Sequence, residues 1–588
     1  MEHNMILSAS GWRKIFAESG NERDTTTKIG RTNEILSILI GKTFASYIQD
    51  KLGKKELKIA VARDTRPTGE IISDCLITAL EEEGIKVLYV GIASAPEIMA
   101  YAKKCDGFVY VSASHNPVGH NGIKFGLSDG GVLEGTEAKI LIDSFKKMTA
   151  EIQDEKSFAA KPRHYEADSE QKTKSLENYS SFIRHVISGS EESSKQESIF
   201  SHIKNCAREN KIAIVCDMNG SARCLSIDKS FIPETGLELL AFNDTAGNIV
   251  HEIIPEPENL VHCAREMARL QKEGRKDAIL GYMPDCDGDR GNIVYWDEKT
   301  GEAKPIAAQE VFALCVLAEL SFEKWKGNTG KTAVAVNCPT SMRIDEIAKA
   351  FSASLFRAEV GEANVVNLAR EKRSEGYSVR ILGEGSNGGN ITYPSSVRDP
   401  IASVYALVKL LVIRDQKDSE GNTRKGLFHL WCTLSGQENK YRNDFTLSDI
   451  METLPQYTTT GVSENRAVLK VKSSDKGILK ENFKAIFESE WNKKKDWIRT
   501  MIPVSSWVCI TTNGTRETEN PASWNNQNGG LKIKFLDEKN NALAFIWMRP
   551  SGTEPVFRVM CDVKGSNAEC EKKLLQWETE MILRSDAS

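Results

Sequence analysis

Three times between residues 57 and 382, short β-rich apolar runs alternate with longer segments, and that order restricts the chain to an α/β architecture with mixed, mainly parallel sheets. Residues 57–61, 87–90 and 108–111 are the strands of the first cycle, and residues 69–83 carry Ile72, Cys75, Leu76 and Leu80 at helical spacing. Residues 211–216, 237–242 and 278–283 repeat the pattern, as do 333–337, 355–360 and 378–382. The spacing predicts three related α/β domains. The last part differs: runs at 467–471, 506–511, 531–535, 543–547 and 556–561, then a helical tail near 566–583, predict an antiparallel α+β domain. Polar stretches at about 165–197 and 414–425 read by composition as linkers or surface insertions.

A chain of 588 residues exceeds what one core supports, since single cores stop growing at roughly 250–300 residues. The expected domains are 1–190, 191–303, 304–445 and 446–588. A net charge of -5 with both signs interspersed offers no basic stripe for nucleic acid. Thirteen cysteines without a C-x-x-C pair fit reduced thiols. No basic and apolar leader opens the sequence, and no run approaches the roughly 18 apolar residues of a membrane span. The expectation is a cytoplasmic protein without a membrane partner.

Four loops carry chemistry. Ser112-Ala113-Ser114-His115-Asn116-Pro117 follows an apolar strand, where open α/β sheets place ligand-binding turns. Ser114 there is a candidate nucleophile, although a serine needs a base, a metal or a covalent state to act, and the loop alone also reads as a polar turn capping a helix. Asp285-Cys286-Asp287-Gly288-Asp289-Arg290 puts three carboxylates within five residues, a charge density that suits a hard cation such as magnesium or calcium. An EF-hand does not fit, because its sixth and twelfth positions are Arg290 and Trp296. Gly383-Glu384-Gly385-Ser386-Asn387-Gly388-Gly389 formally satisfies G-x-G-x-x-G, but an extended segment rather than a helix follows, so Glu384 and Ser386 read as binders of sugar hydroxyls. Arg549-Pro550-Ser551-Gly552-Thr553-Glu554-Pro555, with Arg558 beyond it, combines small residues, hydroxyls and guanidinium groups as a phosphate site does. Gly330-Lys331-Thr332 imitates a Walker A ending, yet Trp325 stands where its first glycine belongs.

In this order the four loops, with Ser10-Gly11-Trp12-Arg13 and Ala62-Arg63-Asp64-Thr65-Arg66-Pro67, resemble the α-D-phosphohexomutase superfamily over nearly the whole chain. The resemblance implies three α/β domains and one α+β domain around a cleft, with Ser114 phosphorylated and Mg²⁺ held by Asp285, Asp287, Asp289 and a phosphoserine oxygen. It implies sugar reading by Glu384, Ser386 and Asn387, and a phosphate clamp of Arg549, Ser551, Gly552, Thr553 and Arg558. Arg13, His115, Lys124 and Arg290 would line the reacting centre, Lys124 as first candidate for general acid/base. The implied reaction interconverts hexose 1-phosphate and hexose 6-phosphate through hexose 1,6-bisphosphate, in a monomer or homodimer, with glucose or mannose as the expected sugar and glucosamine as the alternative.

This sequence departs from the superfamily pattern on the sugar side, at Val360-Gly361-Glu362, in the glycine loop and at Arg398-Asp399-Pro400. Two other readings compete. An aspartate-based phosphatase would use Asp285 as nucleophile, but Asp289 stands where such loops carry threonine; a silent sugar-phosphate sensor would bind without turnover.

Overall fold

The strands end where the chemistry-bearing loops begin. The computed structural model describes residues 4–152, 155, 158–254, 257–385, 388–417, 420–551 and 556–587. These fall into two compact units, Met1–Ile306 with Ile391–Ile413, and Ala307–Asn390 with Arg414–Ser588.

The first unit holds two mixed sheets. In one, Lys58–Arg63 pairs in parallel with Lys86–Ile92 and Gly107–Val111, and the sheet continues antiparallel through His120–Leu127, Gly11–Ile15 and Ile6–Ser8. The Val61, Val109 and Val111 side chains pack into a core with Ile40, Phe44 and Leu76 from the helices Gly30–Leu52 and Gly69–Glu82. Gly41 permits that packing: a Cβ there would lie 2.7 Å from the Ala79 Cβ, so the two helices approach at backbone distance. The second sheet runs Glu302–Pro305, Gly291–Asp297, Ala278–Pro284, Ala213–Asp217, Glu238–Phe242, with its parallel pairs around Ala213–Asp217.

In the second unit, Thr332–Asn337 pairs in parallel with Ser354–Ala358 and Ser378–Glu384. The last sheet is antiparallel, in the order Tyr457–Thr459, Val556–Lys564, Ala542–Pro550, Leu531–Leu536, Ser506–Asn513, Arg516–Glu519, with Val468–Lys470 also on Val556–Lys564. Helices Lys476–Arg499 and Ala568–Ala587 cover it through Phe487, Trp491 and Trp577. The tail is helical, as the sequence predicts.

The polar stretch at about 165–197, expected to be a linker or surface insertion, is largely two helices, Ser169–Ser188 and Ser193–Glu209. Its polar composition hides one buried stripe: Ser175, Tyr179, Ile183 and Val186 are buried at helical spacing. Near 414–425 the chain forms a two-residue ladder, Gln416–Lys417 with Thr423–Arg424. The Walker-like tripeptide leads into the strand Thr332–Asn337, and the glycine loop into Gly389–Thr392, so neither opens a helix. All thirteen cysteines are buried free thiols. Among the described residues no helix is long and apolar enough to cross a membrane.

Candidate active site

Ser114 stands just beyond the C-terminal end of strand Gly107–Val111 with a φ of 54°, in the left-handed region that a residue with a Cβ rarely adopts. Arg66 holds this turn. Its guanidinium donates to the carbonyls of Ser114 and Asn116, each at 2.6 Å, and to those of Pro117 at 2.5 Å and His120 at 3.0 Å. Asp64 in turn accepts from Arg66 Nε at 3.1 Å, with both side chains fully buried. One fork thus ties four loop carbonyls together with charge-assisted bonds.

The acidic loop follows the strand Ala278–Pro284, and Gly288 turns it with a φ of 68°. Only glycine fits, since a Cβ would meet Arg223 Cδ at 2.4 Å. Asp285, Asp287 and Asp289 are buried, and one carboxylate oxygen from each lies within 4.8 Å of the others. Ser114 Oγ donates to Asp285 Oδ2 at 2.7 Å, so the serine turn and the acidic loop meet. Lys124, from the neighbouring strand His120–Leu127, donates to Asp287 Oδ2 at 2.6 Å and lies 3.7 Å from Asp289 Oδ2. Arg398 donates to Asp289 Oδ2 at 2.9 Å.

Electrostatics set Asp285 and Asp287 apart. Burial, then the charges of Asp287 and Asp289, push Asp285 well above the ordinary range. Burial also raises Asp287, but the Lys124 ammonium outweighs it and holds that carboxyl low. For Lys124 burial opposes the charge, and Asp287 and Asp289 more than restore it, so its pKa is raised. Burial and the positive charges of Arg290, Arg13 and Arg398 push His115 down to about 2; its Nδ1 lies 3.5 Å from Ser114 Oγ. Arg13, opposite Gly122 in the sheet, is lowered by burial while Asp287 draws it back up.

The trio fits a hard divalent cation on an observation independent of motif. Oδ1 of Asp287 and Oδ1 of Asp289 are buried without a hydrogen-bond partner among the described residues, an expense that a cation bound between them would remove. Asp285, Asp287 and Asp289 could therefore hold Mg²⁺, with Ser114 Oγ adjacent.

The remaining predicted residues belong to the second unit. Glu384 ends the strand Ser378–Glu384, where its Oε1 accepts from Gly361 N at 2.7 Å and Asn337 Nδ2 at 3.0 Å. Ser386, Asn387, Gly552 and Thr553 lie outside the described residues. Ser551 N donates to Val556 O at 2.8 Å, closing the phosphate-type loop. Arg549 and Arg558 are direct cross-strand partners. Like charges in that register repel, and an anion between them would reverse the sign. Glu359 Oε1 lies 3.0 Å from Arg549 Nε and sets one side of its guanidinium.

Arg398 is the site residue that sequence reasoning did not assign a role. It is 109 positions from Asp289, and only the motif context around Asp399 could have pointed to it.

Residues 9–151 match the family description "Phosphoglucomutase/phosphomannomutase, alpha/beta/alpha domain I", and residues 309–424 match domain III of the same family. A phosphoglucosamine mutase of Nautilia profundicola is 26% identical over 405 residues, covering 66% of this chain and 79% of that protein. A phosphoglucomutase/phosphomannomutase of Thermococcus kodakarensis is 26% identical over 393 residues, covering 65% and 75%. In fold, the chain is similar to the Paramecium phosphoglucomutase parafusin in its open form, at a TM-score of 0.63 and 14% identity over 99% of this chain and 95% of that one. It is also similar to a phosphoglucomutase/phosphomannomutase family protein of Burkholderia thailandensis, at 0.60 and 16% identity over 99% and 97%.

Proposed function

We propose, from the premise that this chain belongs to the phosphoglucomutase/phosphomannomutase superfamily and is an isomerase of the intramolecular phosphotransferase class, that it interconverts hexose 1-phosphate and hexose 6-phosphate through a phosphorylated Ser114. The carrying observation is the 2.7 Å hydrogen bond from Ser114 Oγ to a buried carboxylate trio with two orphaned oxygens.

In this reading phosphoserine 114 gives its phosphoryl group to the free hydroxyl of a hexose monophosphate, which becomes hexose 1,6-bisphosphate. The bisphosphate turns round and returns its other phosphate to Ser114, leaving the isomeric monophosphate. Magnesium held by Asp285, Asp287, Asp289 and a phosphoserine oxygen would neutralise charge on the transferring oxygens. Lys124, kept protonated by Asp287 and Asp289, gives its proton to the departing serine oxygen and recovers one from the attacking sugar hydroxyl; in the return step it takes the Ser114 hydroxyl proton and delivers one to the departing sugar oxygen. Neutral His115, with Nδ1 3.5 Å from Ser114 Oγ, orients Ser114; Arg13, Arg290 and Arg398 offset the phosphoryl charge. Glu384, with Ser386 and Asn387, reads the sugar, while Arg549, Ser551, Gly552, Thr553 and Arg558 hold the phosphate that is not reacting.

Glucose and mannose phosphates are the first sugars to test. A second reading, glucosamine phosphate, is favoured by the names of the relatives from Nautilia profundicola, Dictyoglomus thermophilum and Zymomonas mobilis, each 26% identical. The three sugars differ at C2, where one exchanged contact can decide among them. The deciding experiment supplies each 1-phosphate with Mg²⁺ and trace bisphosphate, and locates phosphate by mass analysis. Turnover with phosphate on Ser114, lost in Ser114→Ala, is expected. Phosphate on Asp285, or near-normal turnover of Ser114→Ala, would overturn the assignment.

A further inference from the structure

The acidic loop is held from beneath by Asp399 and by groups that none of the motifs includes. Arg223 is fully buried under Gly288, and its guanidinium donates to Asp228 Oδ1 from Nε at 3.1 Å and from Nη2 at 3.0 Å. Arg223 Nη1 donates to the Tyr179 hydroxyl at 2.9 Å and lies 3.6 Å from Asp399 Oδ1. The Tyr179 hydroxyl passes its own hydrogen to Asp399 Oδ2 at 2.7 Å. Asp399 also caps the helix Pro400–Val412 through Ile401 N at 2.9 Å, so its place fixes the turn that carries Arg398 onto Asp289.

The same helix that supplies Tyr179, Ser169–Ser188, grips a second support of the loop. Lys172 Nζ donates to Ile92 O at 2.8 Å and to Glu97 Oε1 at 2.6 Å, and Ser175 Oγ donates to Glu97 Oε1 at 2.7 Å. Between Ile92 and Glu97, Ala95 N donates to Asp287 O at 2.8 Å. The helix therefore reaches Asp287 by one route and Asp289 by the other. A buried cation ringed by carboxylates gives little net stability, because desolvation offsets its Coulombic gain. A geometric role accounts for it better.

We propose that the helix Ser169–Ser188 braces the cation site and that Tyr179 is a positioning residue, which through Asp399 and Arg223 sets where Arg398 meets Asp289 and how Gly288 carries the acidic loop. The inference rests on the reading of the three aspartates as a cation site. Partners one step removed from a metal's ligands commonly govern affinity by orienting them.

The test is Mn²⁺ binding to the full-length protein without substrate, followed by electron paramagnetic resonance, so that no turnover is required. Tyr179→Phe keeps the ring and removes only the hydroxyl. Tyr405→Phe is the control, since its hydroxyl makes an equally buried bond, 2.6 Å to Thr235 Oγ1, and none to Asp399 or Arg223. Tyr179→Phe is expected to bind Mn²⁺ about tenfold more weakly, and Tyr405→Phe like the unaltered protein, after a similar loss of thermal stability. Equal binding by Tyr179→Phe and the unaltered protein defeats the brace alone, as does an equal weakening in the control. Failure of the unaltered protein to bind Mn²⁺ defeats the cation-site reading itself, and the brace with it.

Discussion

The hydroxyl of Ser114 donates to Asp285 Oδ2 at 2.7 Å, joining two turns 171 positions apart. Burial and its two acidic neighbours push the Asp285 carboxyl well above its ordinary value, so in the metal-free protein it retains a proton above the ordinary carboxylate range. A cation must displace that proton. Mg²⁺ affinity is therefore expected to rise with pH, by up to about tenfold per unit while one proton is exchanged, and to level off above the raised value. Calorimetry in buffers of different ionisation enthalpy measures the release. Binding with no proton released at any pH above the ordinary carboxylate range would contradict the assignment.

His115 is expected to remain neutral through the whole working range. Its folded value is about 2 against 6.5 for a free imidazole, so the unfolded chain takes up a proton below 6.5 that the folded chain refuses. Folded stability from this residue is thus intact above 6.5 and declines as pH falls below it. Histidine ring NMR between pH 5 and 8 checks the point: the His115 signals should not move. A midpoint near 6 would remove the orienting role given to a neutral ring.

How much of this was legible in sequence differs by element. The strands at 278–284 and 378–384 were visible because branched and apolar residues cluster in short runs bounded by glycine and charge. Helix Ser169–Ser188 was not, because its buried stripe is narrow and includes a serine and a tyrosine among polar neighbours. Motif spacing located Ser114 and Asp285, yet their contact depends on two sheets meeting, which local pattern does not encode. Arg66 shows the converse case. Its place in a motif was plain, while its task of satisfying four carbonyls of the serine turn emerges only from the packed structure.

Lys124→Met is expected to separate chemistry from metal binding. Loss of a general acid should lower kcat by about 10²- to 10⁴-fold. The same change frees Asp287 Oδ2 from its 2.6 Å ammonium partner, so Mg²⁺ should bind more tightly than before. A fall in both turnover and metal affinity would mark Lys124 as a structural support instead.

Arg558→Ala is expected to raise KM by roughly ten- to a hundredfold, the range of a lost charge-assisted hydrogen bond, with kcat less affected. Since Arg558 faces Arg549 directly across the sheet, its removal also relieves like-charge repulsion, and Tm without phosphate should hold or rise slightly. Added inorganic phosphate should then stabilise the unaltered protein more than the variant. Equal stabilisation would exclude these two arginines as a phosphate clamp.

Glu578 is not among the predicted site residues, and its burial bears on the stability of the fold. It lies fully buried on the helix Ala568–Ala587, and neither carboxylate oxygen has a hydrogen-bond partner among the described residues. Burial alone pushes its pKa well above 4.5, so the folded protein holds it as the neutral acid. Because the folded value is the higher one, stability is fully present below 4.5 and is lost as pH rises toward the folded value, by about 1.4 kcal/mol per unit. Glu578→Gln keeps the shape and neutral charge and removes the linkage. Its melting temperature should match the unaltered protein near pH 4.5 and exceed it increasingly as pH rises from there toward the folded value. Parallel pH profiles for the two proteins would mean that Glu578 is ionised and paired in solution, contrary to its surroundings in the structure.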